Sequence, residues 1–302
     1  MKIIFMGTPD YASEILDTLL KTDFIDVEAV YTQPDKPVGR KKILTPPQVK
    51  VLAEENGIRV YQPTTLRDEE VISELKTIKC DYIVVAAYGQ ILPKAILEYA
   101  PCINLHASIL PQYRGASPIQ QSILNGDEKT GVTAMLMEEG LDTGDILKIS
   151  EITIPKDEMV STLFERLTKV ASELTVDVLE NFKNYTPVKQ DESKATLCKK
   201  ISKKDGLVEF DDALNIYNKY RAFTPWPTVY LESGLKLKEM KLQQEDGNFE
   251  MGKILHVEKD GVVVGCEKGS LKITKVQPNS KKEMDVLSYI NGKRLGVEDF
   301  LS

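Results

Sequence analysis

Asn104 and His106 stand two residues apart in Cys102-Ile103-Asn104-Leu105-His106-Ala107-Ser108, and Asp142 follows in Gly140-Leu141-Asp142-Thr143-Gly144-Asp145. The first run alternates apolar and polar residues as a strand end does, so the Asn104 and His106 side chains should face the same way. The chain has two histidines. One of them beside a carboxamide, with a glycine-flanked carboxylate downstream, suggests proton transfer next to a polarised carbonyl. A lone histidine at a strand end is often only a satisfied core residue. Three features weigh against that for His106. It lies at the C-terminal end of its strand, where ligands sit in open α/β sheets. Asn104 shares its face. The loop that follows, residues 108–118, carries Pro111, Gly115 and Pro118, and such a stiff loop is costly to build as a mere connection.

The elements that must position this group alternate between strand and helix through the first half. Residues 3–6 and 27–31 are short apolar runs with the amphipathic stretch 12–20 between them. Residues 49–55 read as helix, 58–61 as extended chain and 69–76 as helix again. The almost wholly apolar run 82–87 suits a central parallel strand covered on both faces. Residues 93–99 read as helix and 102–106 as the next strand. Ser117 and Pro118 supply an N-cap and first-turn proline for a helix at 119–124, which Asn125-Gly126 ends. Strands at 132–137 and 146–154 and a long helix at 159–182 complete a βαβ pattern. The fold class is therefore α/β, a doubly wound Rossmann-like domain. The first βα turn, Gly7-Thr8-Pro9-Asp10, lacks the G-x-G-x-x-G fingerprint, and Pro9 removes an amide, which disfavours a nicotinamide or flavin enzyme. Gly7 reads equally well as a tight-turn residue or a ligand contact.

The texture changes after about residue 185. Residues 186–205 are polar, lysine-rich and weakly periodic, which suits a linker. A helix at 212–222 precedes short strands at 253–258, 262–266 and 271–276 joined by Asp-Gly and Lys-Gly turns, the pattern of a small β-barrel. The expected organisation is a catalytic domain over 1–186, a basic linker over 187–206 and a C-terminal β domain over 207–302.

Composition narrows the function classes. The chain has 302 residues, 42% of them hydrophobic, enough for one or two domains with a sizeable core. Cys80, Cys102, Cys198 and Cys266 show no C-x-x-C spacing, so they read as reduced, mostly buried thiols, with neither a zinc site nor a disulfide framework. His256 is far from His106 in sequence, and no metal is expected. There is no signal-peptide pattern and no apolar run near the roughly 18 residues a membrane span needs. A soluble cytoplasmic protein follows, expected to be a monomer. The net charge of −7 argues against a protein coated with nucleic acid. Two basic segments nevertheless stand out. Residues 36–50 hold Lys36, Arg40, Lys41, Lys42 and Lys50 with no acidic residue, and residues 189–204 hold six lysines against Asp191 and Glu192. Either could be a solvated loop or a footprint for a polyanion.

The stretch Asn104-Leu105-His106-Ala107-Ser108-Ile109-Leu110-Pro111-Gln112-Tyr113-Arg114-Gly115-Ala116-Ser117-Pro118-Ile119 resembles the signature of the folate-dependent formyltransferases. Leu141-Asp142-Thr143-Gly144-Asp145 resembles that family's second signature. The resemblance runs from Met1 to about residue 288. It implies that 10-formyltetrahydrofolate donates a formyl group to an amine, with Asn104, His106 and Asp142 in the catalytic positions. It further implies that Tyr88, Gly89, Gln90, Ile91, Leu92, Gly140 and Leu141 hold the pterin, and that Ser108, Ile109, Leu110 and Pro111 form the loop closing the folate site. The second domain should then be an OB-like barrel that binds tRNA.

The run from Thr32 to Lys42 resembles the basic loop of family members that act on methionyl initiator tRNA. Arg221-Ala222-Phe223-Thr224-Pro225-Trp226-Pro227 resembles the start of their C-terminal domain, although sugar formyltransferases share its Pro-Trp-Pro element. By this resemblance Lys36, Arg40, Lys41, Lys42, Arg114, Lys199, Lys200, Lys203 and Lys204 are expected tRNA contacts, in a bacterial cytoplasm. The alternative is a formyltransferase for a small amine, glycinamide ribonucleotide or an amino sugar, which needs neither basic segment. The chain departs from the family at Gln112, where a basic residue is usual. Asn104 is expected to donate to the developing oxyanion. Which of His106 and Asp142 moves the proton stays open.

Overall fold

The computed structural model describes residues 1–39 and 41–302. The chain runs β1 (Lys2–Gly7), α1 (Asp10–Leu20), β2 (Asp26–Tyr31), the hairpin β3 (Lys36–Val38) and β4 (Ile43–Thr45), α2 (Gln48–Glu55), β5 (Val60–Tyr61) and α3 (Glu69–Thr77). It continues through β6 (Tyr82–Ala86), α4 (Lys94–Leu97), β7 (Cys102–His106), β8 (Arg114–Gly115), α5 (Pro118–Leu124), β9 (Lys129–Leu136), β10 (Ile146–Thr153) and α6 (Val160–Glu180). After β11 (Leu197–Cys198) come α7 (Ala213–Phe223), β12 (Val229–Tyr230), β13 (Lys236–Gln244), β14 (Ile254–Val257), β15 (Val262–Gly265), β16 (Ser270–Gln277), β17 (Met284–Asp285) and α8 (Val286–Lys293). Two compact units result. The first comprises Met1–Ile119, Lys129–Thr153 and Thr162–Cys198, and the second Gln120–Glu128, Ile154–Ser161 and Lys199–Ser302.

The first unit is built on a seven-stranded sheet in the order β10-β9-β7-β6-β1-β2-β5. The strands from β7 to β5 are mutually parallel, and β9 runs antiparallel to β7. The order reverses at β1, whose neighbours β2 and β6 lead to opposite edges, which marks the crevice beyond the strand C-termini as the place for a ligand. Alternation along β1 sends Ile4 and Met6 into a core with Leu75 of α3 and Ile96 of α4. Ile3 and Phe5 are equally buried on the opposite face, and α1 packs against β1, β2 and β6. Both faces are covered, as the apolar run of β6 required. A Cβ on Gly7 would lie 2.5 Å from the Cβ of Ala12 and 2.9 Å from the carbonyl of Ala86. Close packing of strand and helix therefore explains Gly7.

Residues 187–198, read from sequence as linker, are tied into the first unit. Val188 bridges Ile146, and β11 pairs with β8 in parallel. The second unit carries a six-stranded antiparallel sheet, order β12-β13-β16-β15-β14, with β17 on β16. Its longest strand, β13, escapes a period-2 reading because its pairing with β16 shifts at three places, so its buried residues do not alternate. The helix expected over 93–99 is shorter, Lys94–Leu97, and the hairpin of β3 and β4 is an addition to the expected elements.

Candidate active site

Asn104 and His106 leave β7 on one face because their register is fixed from both sides. Asn104 lies opposite Val85 of β6 and Met135 of β9, and His106 opposite Thr133. Both are buried, 9% and 6% exposed, so polar atoms there need partners. Asn104 Nδ2 donates to Asp142 Oδ1 at 3.3 Å, and His106 Nδ1 lies 3.7 Å from Asp142 Oδ2. The structure thus brings together three residues separated by up to 38 positions.

His106 is held on its other side by the carbonyl of Tyr113, 2.9 Å from Nε2. A carbonyl oxygen can only accept, so Nε2 carries a hydrogen and Nδ1 is the nitrogen that can gain or lose a proton. The Cys198 thiol donates to the same Tyr113 carbonyl at 3.2 Å, and burial pushes that thiol's pKa up.

Asp142 is the most constrained member. Its φ is +54°, the left-handed region, a conformation that costs a non-glycine residue about 1–3 kcal/mol. Three hydrogen bonds oppose that cost at roughly 0.5–1.5 kcal/mol each. The Gly115 amide donates to Oδ2 at 2.8 Å, while Gln190 Nε2 donates to the carbonyls of Asp142 at 2.9 Å and Gly144 at 2.7 Å. Glycine is required at 144, where a Cβ would fall 1.7 Å from the Leu136 carbonyl.

The expected donor loops are locked mainly by their own atoms. Ser108 Oγ donates to the Gln112 carbonyl at 2.6 Å, and Thr133 Oγ1 donates to the Ser108 carbonyl at 2.7 Å while accepting from the Leu110 amide at 3.1 Å. Ser108 and Leu110 are buried, and Ile109 and Pro111 are half-buried. After β6, the side chains of Tyr88 and Leu92 are buried, and Gln90 is engaged with the Leu66 amide and the Pro63 carbonyl. Gly89 has a φ of +81° and is exposed, as are Ile91, Gly140 and Leu141. Exposed Ile91 and Leu141, 64% and 60%, are aliphatic groups that the core leaves unused on the loops around the site.

Lys36, Lys41 and Lys42 are exposed on the hairpin of β3 and β4, with Val38, Ile43 and Leu44 exposed beside them. Arg40 lies outside the described residues. Lys50 of the same basic segment is instead paired with Asp35 at 3.0 Å. Lys199, Lys200, Lys203 and Lys204 are exposed at the start of the second unit. Arg114 differs from all of these. It is 4% exposed, and its guanidinium is bonded to Gln190 and to both carboxylate oxygens of Glu192, at 2.9 and 2.7 Å. That pairing holds the Glu192 carboxyl below the usual carboxylate range. A count of cations along the sequence cannot distinguish Arg114 from a free one. Gln190 escaped sequence reasoning for a similar reason, since a glutamine in a polar stretch carries no signal.

Residues 1–179 match the family described as formyl transferase, and residues 200–294 match the formyl transferase C-terminal domain. A methionyl-tRNA formyltransferase of Sulfurimonas denitrificans is 66% identical over 302 residues, covering 100% of both chains. Among solved structures, the N-formyltransferase of Helicobacter canadensis, in complex with folinic acid and dTDP-3-aminofucose, superposes with a TM-score of 0.66 at 18% identity. That match covers 90% of this chain and 98% of that one. HypX of Aquifex aeolicus, in complex with tetrahydrofolic acid, superposes with a TM-score of 0.62 at 16% identity over 99% of this chain. This chain spans 48% of the length of HypX. At such identities the two solved structures speak to fold alone.

Proposed function

Since the chain belongs to the methionyl-tRNA formyltransferase family, we propose that it moves the formyl group of 10-formyltetrahydrofolate to the α-amino group of methionine esterified to initiator tRNA. The product is N-formylmethionyl-tRNA for the start of translation. The observation that carries the chemistry is the convergence of buried Asn104 and His106 on the half-buried Asp142.

The neutral amine attacks the formyl carbon, and negative charge develops on the formyl oxygen. Asn104 has two amide hydrogens and gives one to Asp142, which leaves the second for that oxygen. His106, with Nε2 committed to Tyr113, presents Nδ1 towards Asp142. As an imidazolium, Nδ1–H would be a second donor to the oxyanion. As a neutral ring, Nδ1 would take the proton released by the amine, directly or through water. Asp142 orients His106 and can relay that proton. The bond to the folate nitrogen then breaks, and this nitrogen must receive a proton as it leaves.

The folate is a substrate here. Exposed Ile91 and Leu141 suit a flat heterocycle, and the buried side chains of Tyr88, Leu92, Ser108 and Leu110 act by shaping backbone around it. Backbone at Gly89 and Gly140 would supply polar contacts. The domains follow the same reading, with the bounds moved by the pairing of 187–198: a catalytic domain that takes in 187–198, a basic stretch over 199–206, and an OB-like, tRNA-binding domain over 207–302. The bulged antiparallel sheet of the second unit supports the barrel reading. The exposed lysines of the hairpin would meet the acceptor end, and Lys199, Lys200, Lys203 and Lys204 the phosphate backbone. Arg114, buried and paired, would act by positioning its neighbours. The protein would work as a monomer in a bacterial cytoplasm.

The test supplies 10-formyltetrahydrofolate with charged initiator tRNA, glycinamide ribonucleotide or a nucleotide-linked amino sugar, and follows formylated product by mass spectrometry. Formyl transfer to the tRNA is expected. Transfer only to a small amine would overturn the reading.

A further inference from the structure

The turn carrying Asp142 is held by a residue far away in sequence. Gln190 is 5% exposed, and its Nε2 reaches two carbonyls, those of Asp142 and Gly144. Its Oε1 accepts from Arg114 Nε at 3.1 Å and Nη2 at 2.8 Å. Arginine can only donate, so the amide has one possible orientation, with Oε1 towards Arg114 and Nε2 towards the turn. Arg114 is in turn fixed by the two-pronged pairing with Glu192. The run from Tyr113 to Gly115 therefore grips the site three times. Tyr113 holds His106, Gly115 holds the Asp142 carboxylate, and Arg114 holds Gln190.

We propose that Gln190 is a positioning residue for formyl transfer: its amide fixes the left-handed turn that aims Asp142 at Asn104 and His106, and Arg114 fixes Gln190. This rests on the reading that Asp142 acts in catalysis. A carboxylate misplaced by about 1 Å can cost a reaction on the order of 100-fold in rate. Gln190 bonds Arg114 and the backbone carbonyls of Asp142 and Gly144, and it does not touch the carboxylate, so its effect passes through the placing of Asp142.

Gln190→Glu separates positioning from general stability, because a carboxylate still accepts from Arg114 but offers no hydrogen to the two carbonyls. Gln190→Met, which offers neither, serves as the second variant, and Asp142→Ala runs in parallel. Turnover is measured per folded molecule, by near-ultraviolet circular dichroism, against pH and charged-tRNA concentration. The expected result for both Gln190 variants is a kcat lowered at least about tenfold, with KM for charged tRNA within about twofold. Their pH profile of kcat should also be displaced from that of the unaltered protein. A kcat within about twofold in either variant, or a loss confined to the unfolded fraction with the pH profile unmoved, overturns the proposal. Asp142→Ala with near-normal turnover would instead remove the catalytic reading beneath it.

Discussion

His106 Nε2 lies 2.9 Å from the carbonyl oxygen of Tyr113. Because that oxygen accepts only, the imidazole keeps one hydrogen on Nε2 and leaves Nδ1 on the side facing Asp142. Tyr113 itself has a φ of +60°, and its amide donates to Thr196 Oγ1 at 2.8 Å. The histidine is therefore aimed by backbone that β8 and the segment before β11 hold in place, and no acidic side chain is needed behind it.

The exposed hairpin lysines should act on the acceptor and leave the formyl donor alone. Lys41→Ala and Lys42→Ala are each expected to raise KM for charged tRNA and to lower the salt slope of binding by about 1. Slow hydrolysis of the donor should be unchanged, and Arg40→Ala should follow the same pattern. Equal falls in transfer and hydrolysis would show that the hairpin is not an acceptor contact.

Two glycine substitutions should have opposite signs. Gly144→Ala drives a methyl to 1.7 Å from the Leu136 carbonyl and should cost more than about 2 kcal/mol of stability by denaturant titration. Gly292, in α8, has no heavy atom within 4 Å of a built Cβ. Gly292→Ala should be neutral or stabilising by up to about 1 kcal/mol. An unchanged midpoint for Gly144→Ala would contradict the packing described beneath Asp142.

Asp177 supplies a pH test outside the site. Hydrogen bonds from Lys148 at 2.8 Å and from the Tyr185 hydroxyl hold its carboxyl below the ordinary value of 3.8. A depressed carboxyl contributes stability above its unfolded value and loses it as pH falls through the folded one. The melting temperature of Asp177→Asn should lie below that of the unaltered protein at pH 7, and the gap should narrow as pH drops below 3.8. The pair is partly exposed, so solvent screening keeps the effect modest. A gap independent of pH would refute the pairing.

The thiols should be inert in the folded state. Burial pushes Cys102 and Cys266 up to about 12 and Cys80 up to about 11, and Cys198 is also raised. Alkylation at pH 8 should be slow until denaturant is added, when all four cysteines react. Rapid native labelling of Cys102 or Cys266 would contradict their burial.

Much of the architecture was legible because periodicity records burial. The alternation of β7 placed Asn104 and His106 on one face, and the apolar run of β6 announced a strand covered on both sides. Legibility failed where partners lie far apart in sequence. Nothing local tells that Arg114 is buried against Glu192 while Lys42 is exposed, since charge type does not record pairing. Gln190 sits in a stretch whose polarity reads as solvated linker, yet its amide is buried on the Asp142 turn. In β13 the shifts in pairing erase the alternation that would have announced the strand.

On the proposed function, Asn104, His106 and Asp142 together transfer a formyl group to a tRNA-borne amine. The most direct test is single-turnover transfer from 10-formyltetrahydrofolate to methionyl initiator tRNA by the unaltered protein, Asn104→Ala and Asp142→Ala. Melting temperature is measured alongside. The expected result is N-formylmethionyl-tRNA from the unaltered protein and a rate lower by about 100-fold or more in each variant, with folding intact. Near-normal rates in either variant, or no formylated tRNA from the unaltered protein, would contradict it.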